Sequence, residues 1–161
     1  MQHSLYIGSA ADDKRTAYAW LLVNHSGVVA SDAYLTAGER RFDENYGSHA
    51  ALQRALRKVA QQEGVIQLRL VMDDTVVEAI GFELCDVQPP LYPTVCRTTR
   101  RIMQRFDKCE LASFSRDEAD ARPQEIAAID DAIDALEQAA TLPGTFRYWR
   151  DCLLRPNKII R

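Results

Sequence analysis

The chain has 161 residues, with 20 Lys and Arg against 23 Asp and Glu and a formal net charge of -3. That length is most simply one domain with a real hydrophobic core, and an apolar fraction of 47% makes it globular rather than disordered. The charge balance excludes a protein coated in positive charge, though not a local basic strip.

Leu5 to Gly8 reads as a short opening strand, followed by a polar loop from Ser9 to Thr16. Ala17 to Val23 is a clear strand, and Asn24-His25-Ser26-Gly27 supplies the turn into a third strand, Val28 to Leu35. These three segments make an antiparallel meander, with Tyr18, Trp20 and Leu22 packing on one face.

From Asn45 to Glu63 the apolar period becomes helical, through His49, Leu52, Leu56 and Val59, and Gly64 is a natural stop. A fourth strand follows, in which Ile66, Leu68, Leu70 and Met72 form a continuous apolar face. The helical crossover makes this strand parallel to an earlier one. It runs out at Asp73-Asp74, just before a short helical pattern from Thr75 to about Phe82. An Asp there has two readings: a helix N-cap, or a carboxylate placed for chemistry beyond the end of a central strand.

Prolines in CDVQPPLYP rule out regular structure there, and Thr94 to Phe106 is helical again. Val95, Ile102, Met103 and Phe106 share one side of this helix, with Arg97, Arg100, Arg101, Arg105 and the following Lys108 largely on the other. Glu110 to Ser115 is a fifth, short strand. Pro123 suits the first turn of a long helix, with Ile126, Ile129, Ile133 and Leu136 as its buried stripe and Asp130, Asp131, Asp134 and Glu137 as a solvated face. In residues 141 to 161, aromatic and basic residues interleave. We expect Phe146, Trp149, Leu153 and Leu154 to dock this tail on a domain of residues 1 to 140, leaving the arginine heads in water. A single-strand binding surface or a protein contact is the alternative for the tail.

The order β-β-β-α-β-α, then a basic helical segment, a strand and a closing helix, resembles the ribonuclease H fold. Tyr6-Ile7-Gly8-Ser9-Ala10 is similar to the opening strand of that family, where Asp-Gly-Ser is usual. Asn45 to Leu56 resembles its first helix, which normally carries a glutamate. Leu70 to Ile80 resembles the strand and helix that begin with the third acid, and Arg116-Asp117-Glu118-Ala119-Asp120-Ala121 resembles the Ala-Asp motif that carries the last. The resemblance implies an α/β domain with a five-stranded mixed sheet, three antiparallel strands and then parallel ones, flanked by helices on both faces.

It also implies a chemistry. Members that cleave RNA use two divalent metals, magnesium or manganese, held by four acidic side chains, because cations about 3.5–4 Å apart must be clamped by shared carboxylates. Here Asp73 matches the third acid and Asp120 the last, so these two are the candidate catalytic and metal-binding residues. The first position falls on Ile7, and the second on Ser48 or His49. Asp12, Asp13, Asp43 and Glu44 lie near enough in sequence to stand in for the missing ligands. His49 reads first as a partly buried histidine satisfied by one hydrogen bond, with metal ligand or base as the alternative. Arg97, Arg100, Arg101, Arg105 and Lys108 resemble the basic protrusion with which some ribonucleases H grip a hybrid duplex, because arginines at i and i+4 can meet successive phosphates.

Three functions are therefore in play. The leading one is a catalytically degenerate member that binds nucleic acid, as a duplex or RNA–DNA hybrid, alone or within a larger complex. The second is an active metal-dependent endonuclease with rearranged ligands. The third is a protein-interaction scaffold, with the tail or the acidic helix as its contact surface. Widely spaced Cys85, Cys96, Cys109 and Cys152 read as free thiols. The amino terminus has no basic region leading into a long apolar run, so a cytoplasmic protein without a membrane partner is the expectation.

Overall fold

The computed structural model describes residues 2–82, 88–115 and 120–161. Strands β1 (Gln2–Ala11), β2 (Thr16–Asn24) and β3 (Gly27–Thr36) form the antiparallel meander, and α1 (Glu44–Val59) crosses to β4 (Gln67–Met72). Then come α2 (Asp74–Ile80), α3 (Pro93–Met103), β5 (Lys108–Ser113), α4 (Pro123–Ala140), α5 (Leu142–Leu154) and β6 (Ile159–Ile160). The sheet order is β5-β4-β1-β2-β3-β6, with β4 parallel to β1 and β5 parallel to β4. This is the mixed sheet expected from the sequence, except that it has six strands rather than five.

The sixth strand comes from the tail. A two-residue strand is too short to show an alternating pattern, so Ile159-Ile160 carries no strand signal. What holds it is long-range. It pairs parallel to β3 at Leu35 and Thr36, and Ile160 is fully buried. The Arg54 guanidinium donates to the carbonyls of Asn157 at 3.0 Å and Ile159 at 2.8 Å, and Lys158 pairs with Asp32.

One face of the sheet packs against α1, α2 and α3. Leu5, Ile7, Tyr18, Trp20, Leu22, Leu68, Leu70 and Met72 meet Leu52, Leu56 and Val59 of α1, with Val76, Ile80 and Ile102 at the edge. The period-two reading of β2 and β4 therefore describes the main core. Ile66 is the exception, exposed just before β4 begins. Val71 is buried instead against the opposite layer.

That opposite layer is α4, and here the sequence reading needs correction. The buried residues of α4 are Glu125, Ala128, Ala132, Leu136 and Ala139, whereas Ile126 and Ile133 are 49% and 40% exposed. The physical reason lies in the sheet beneath. Gly8, Ala17 and Ala19 present almost no side chain, and a Cβ added at Gly8 would come within 2.7 Å of the Ala128 backbone. Where the backbones are this close alanines face the sheet, so Ile126 and Ile133 are turned outward, whereas Leu136 is buried as expected and Ile129 packs half-buried at the margin of the layer.

The tail is also corrected in detail. Phe146, Trp149, Leu153 and Leu154 are exposed, and α5 is held by its other side. The Tyr148 hydroxyl donates to the Thr36 carbonyl at 3.2 Å, and the Arg15 guanidinium lies 4.0 Å from the Tyr148 ring centre. Among the described residues, no helix is long and apolar enough to cross a membrane.

Candidate functional site

The cleft lies where β4 and β5 end beside the first turns of α4. The Asp73 N–H donates to the Ile7 carbonyl at 3.0 Å, extending the parallel pairing by one residue past β4. Asp73 then turns the chain into α2 as its N-cap. One carboxylate oxygen, Oδ1, accepts from the Val76 N–H at 2.8 Å. The other, Oδ2, accepts from the Ser9 Oγ at 2.8 Å and from the Ser9 backbone N–H. Asp73 is thus both a helix cap and a latch between β1 and α2. Burial raises its pKa above the ordinary carboxylate value, although the bonds from Val76 and Ser9 oppose that shift.

The cleft is lined by Asp73, Asp74, Glu125 and Asp130 together with Phe114, Ile126 and Ile129. Glu125 was not among the residues picked from the sequence. It is the third residue of α4 and is buried. Its Oε2 accepts from the Ser115 N–H at 3.1 Å and from the Arg122 N–H at 3.4 Å. The signal available for it was the run Arg122-Pro123-Gln124-Glu125, a Pro at the first position and a Glu at the third, which marks a helix start. Asp120 is exposed in the turn before α4 and does not line the cleft. Of the motif that was expected to carry it, residues 116–119 lie outside the described residues, as does Cys85.

The residues at the other expected acid positions are apolar or weakly polar. Ile7 and Ser48 are both buried. The space beside Ser48 is taken by Tyr18: a Cβ added at Gly47 would stand 2.6 Å from the Tyr18 hydroxyl. Burial pushes the Tyr18 phenol up to about 12, and the charges on Glu44, Asp73 and Asp43 add to that rise. The nearby acids considered as substitutes serve local structure. Asp12 accepts from the N–H groups of Lys14 and Arg15 at 2.7 and 2.8 Å, closing the β1–β2 turn. Asp43 caps α1 by accepting from the Tyr46 N–H at 2.9 Å, and it also accepts from the Tyr92 hydroxyl. Asp13 and Glu44 are exposed.

His49 is buried, with Nδ1 2.9 Å from the Thr99 Oγ1, and Gln53 Nε2 donates to the same Thr99 oxygen at 3.1 Å. Burial lowers its pKa to about 4, so it is neutral at pH 7. It ties α1 to α3.

Among the described residues, the acids around Asp73 do not form a cluster that would clamp a pair of divalent metals. Both Asp73 oxygens are engaged by donors, one Glu125 oxygen is engaged likewise, and the strand-one position is an isoleucine. Among the described residues, no group of three or more His, Cys, Asp or Glu side chains is arranged to hold a metal ion.

The basic residues are placed differently. α3 packs on α1 through Cys96, Thr99 and Ile102, which leaves Arg97, Arg100, Arg101, Arg105 and Lys108 exposed. Arg97 and Arg101 are one turn apart on α3 and, with Arg105, make no ion pair with a described residue. Arg100 donates to the Phe82 carbonyl at 3.4 Å and stacks over the Phe82 ring. Lys108 pairs with Glu110 at 2.5 Å.

No family model matches the chain, and no curated protein matches it at a significant level. Solved structures do. RNase H1 from the halophilic archaeon Halobacterium salinarum is 21% identical, covering 83% of this chain and 98% of its own, with a TM-score of 0.56. The N-terminal RNase H domain of a Mycobacterium tuberculosis protein is 17% identical, covering 87% and 99%, with a TM-score of 0.55. LC11-RNase H1, solved in complex with an RNA/DNA hybrid, is 14% identical over 84% and 99%, with a TM-score of 0.56. The architecture is the ribonuclease H fold.

Proposed function

We propose that this chain, built on the ribonuclease H fold, binds duplex nucleic acid, with an RNA–DNA hybrid as the first candidate, and does not cleave it efficiently. The observation that carries this reading is the state of Asp73. Of the two acids matched to family metal positions, Asp120 stands exposed outside the cleft lining, and Asp73 has both oxygens hydrogen-bonded, to Val76 and Ser9, with Ile7 as its neighbour across the sheet. Three accepted bonds fill Oδ2 and half of Oδ1, so Asp73 offers a metal one lone pair, too little to bridge two cations.

Binding is assigned to the strip around α3. Arg97 and Arg101 on the exposed face of α3 and Arg105 just after it, which pair with no described acid in a chain of net charge -3, suit a polyanion. LC11-RNase H1, which shares the fold, is known in complex with such a hybrid. Arg97, Arg101 and Arg105 act as phosphate contacts; Arg100 and Lys108 add positive potential. Phosphate contacts carry no base information, so affinity depends on salt rather than sequence.

The acidic cleft of Asp73, Asp74, Glu125 and Asp130 supports a second reading, a weak one-metal site that magnesium or manganese would occupy. The first test addresses the strip. Replacing Arg97, Arg101 and Arg105 together by Ala is expected to weaken binding across all duplex sequences and to reduce the slope of log K against log salt by about 3. An unchanged affinity and slope would remove the strip from the account.

A further inference from the structure

Beside the edge of the sheet at β3, α5 stands off from the body of the protein. None of its residues is buried. It is attached through Tyr148 and through β6, which follows it and pairs with β3. The wall that α5 faces is built from side chains too small to fill the space, Ala33 of β3 with Ala135 and Ala139 of α4. An open cleft of about 520 Å³ results, with Leu35 and Ile159 completing its apolar side. That size falls within the range of small-molecule sites, about 300–1,000 Å³.

The remaining side of the cleft is charged. Arg147, Arg150, Arg155 and Lys158 line it against two acids, Asp32 and Asp151. Both acids are neutralised from within the chain. Asp32 pairs with Lys58 through one oxygen and with Lys158 through the other, and Asp151 Oδ1 accepts from Arg150 Nε at 3.1 Å and Nη2 at 2.9 Å. Arg147 and Arg155 are exposed and make no ion pair with a described residue. The carbonyls that end α4, which would repel an anion, are covered by hydroxyls: Thr141 Oγ1 donates to that of Gln138 at 2.8 Å, and Thr145 Oγ1 to that of Ala139 at 3.2 Å.

We infer that this cleft binds a small organic phosphate of mononucleotide size, its planar ring on the alanine wall and its phosphate between Arg147 and Arg155. These two stand eight residues apart on α5, about 12 Å along the axis, so their long side chains approach one group from opposite ends. Guanidinium forks match phosphate oxygens in pairs. A phosphate ester carries a charge of about -1.5 to -2 at pH 7, which meets two free arginines where a single carboxylate would leave one unmatched. Small side chains along the wall leave room for a flat ring, and the apolar side desolvates it. The cleft lies on the α4 side of the sheet, away from α3, so the inference does not rest on the duplex-binding strip.

The test is isothermal titration calorimetry of the whole chain at low salt with adenosine 5′-monophosphate, and separately with adenosine and with inorganic phosphate. Saturable one-to-one binding of the nucleotide is expected, about tenfold or more tighter than either part alone. Arg147→Ala and Arg155→Ala should each weaken it about tenfold or more, as for lost charge-assisted bonds, with the melting temperature unchanged because both positions are exposed. Arg57→Ala removes an equal charge from the exposed side of α1 and should leave nucleotide binding unchanged. Amide NMR shifts on titration should move at Ala33, Ala135 and Gly144, which locates the ligand in the cleft. Absence of nucleotide binding overturns the inference, as does binding that neither the Arg147 nor the Arg155 variant weakens. Inorganic phosphate that binds as tightly as the nucleotide would remove the ring from the site, and adenosine that does so would remove the arginines; either result overturns it equally.

Discussion

Replacing Asp73 by Ala separates a structural carboxylate from a metal ligand by the sign of its effect on stability. Three donors lose their acceptor: the Val76 N–H, the Ser9 N–H and the Ser9 Oγ. Loss of an N-cap costs about 1 kcal/mol. Leaving the half-buried Ser9 amide unsatisfied costs about 1–3 kcal/mol more. Relief from burying a charge works the other way, since burial already raises the Asp73 pKa. The net expectation is a destabilisation of about 1–3 kcal/mol, or roughly 2–4 °C in Tm per kcal/mol for a domain of this size. Thermal unfolding by circular dichroism at pH 7 without divalent metal measures it. Asp73→Asn keeps one acceptor for Val76 and should fall between wild type and Asp73→Ala. Acids held together for metal binding repel one another, and removing one then stabilises the metal-free protein. An Asp73→Ala variant that melts at or above the wild-type temperature would therefore refute the latch.

The helix α4 supplies a paired test: Ile133→Lys should change stability by no more than about 0.5 kcal/mol, whereas Ala128→Leu should cost about 1–3 kcal/mol or block folding, since Ala128 sits against Gly8. Both follow from urea denaturation midpoints. His49, with its folded pKa lowered to about 4 from 6.5, favours the neutral ring in the folded state. Its contribution to stability is complete above about pH 6.5 and is lost as pH falls toward 4, because the unfolded chain takes up the proton first. An NMR titration should show no His49 inflection between pH 6 and 8, and a His49→Gln variant should lose less stability on acidification than wild type. Gly47→Ala should destabilise by displacing the Tyr18 hydroxyl, which a lower denaturation midpoint would register.

Much of this architecture was legible because its elements obey one strong period each. Tyr18, Trp20 and Leu22 alternate cleanly, and Leu52, Leu56 and Val59 recur at helical spacing, so the meander and crossover follow from local pattern. The readings that failed depend on what lies opposite. Ile126 and Ile133 of α4 looked like part of a core stripe with Ile129 and Leu136, and only the small residues of β1 and β2 decide that alanines take their place against the sheet. In α5 the aromatic residues looked like anchors, but the helix seats itself through Tyr148. β6 is too short to have a pattern at all. At the site, the strand-end position of Asp73 was readable, and so was its alternative role as a cap. The share of its second oxygen taken by Ser9 was not, because that contact spans 64 residues. Glu125 was overlooked for a related reason: its sequence context reads as a helix start, and the same side chain that serves the cap also faces the cleft.

The central claim, binding without efficient cleavage, is tested most directly by fluorescence anisotropy of a labelled RNA–DNA hybrid titrated with the protein at low salt, with and without manganese, followed by electrophoresis of the same samples. The account predicts binding that persists without metal, weakens steeply as salt rises, and leaves the hybrid intact when manganese is added. Manganese-dependent shortening of the RNA strand, abolished by Asp73→Asn, would contradict it and restore the cleft as a working nuclease site.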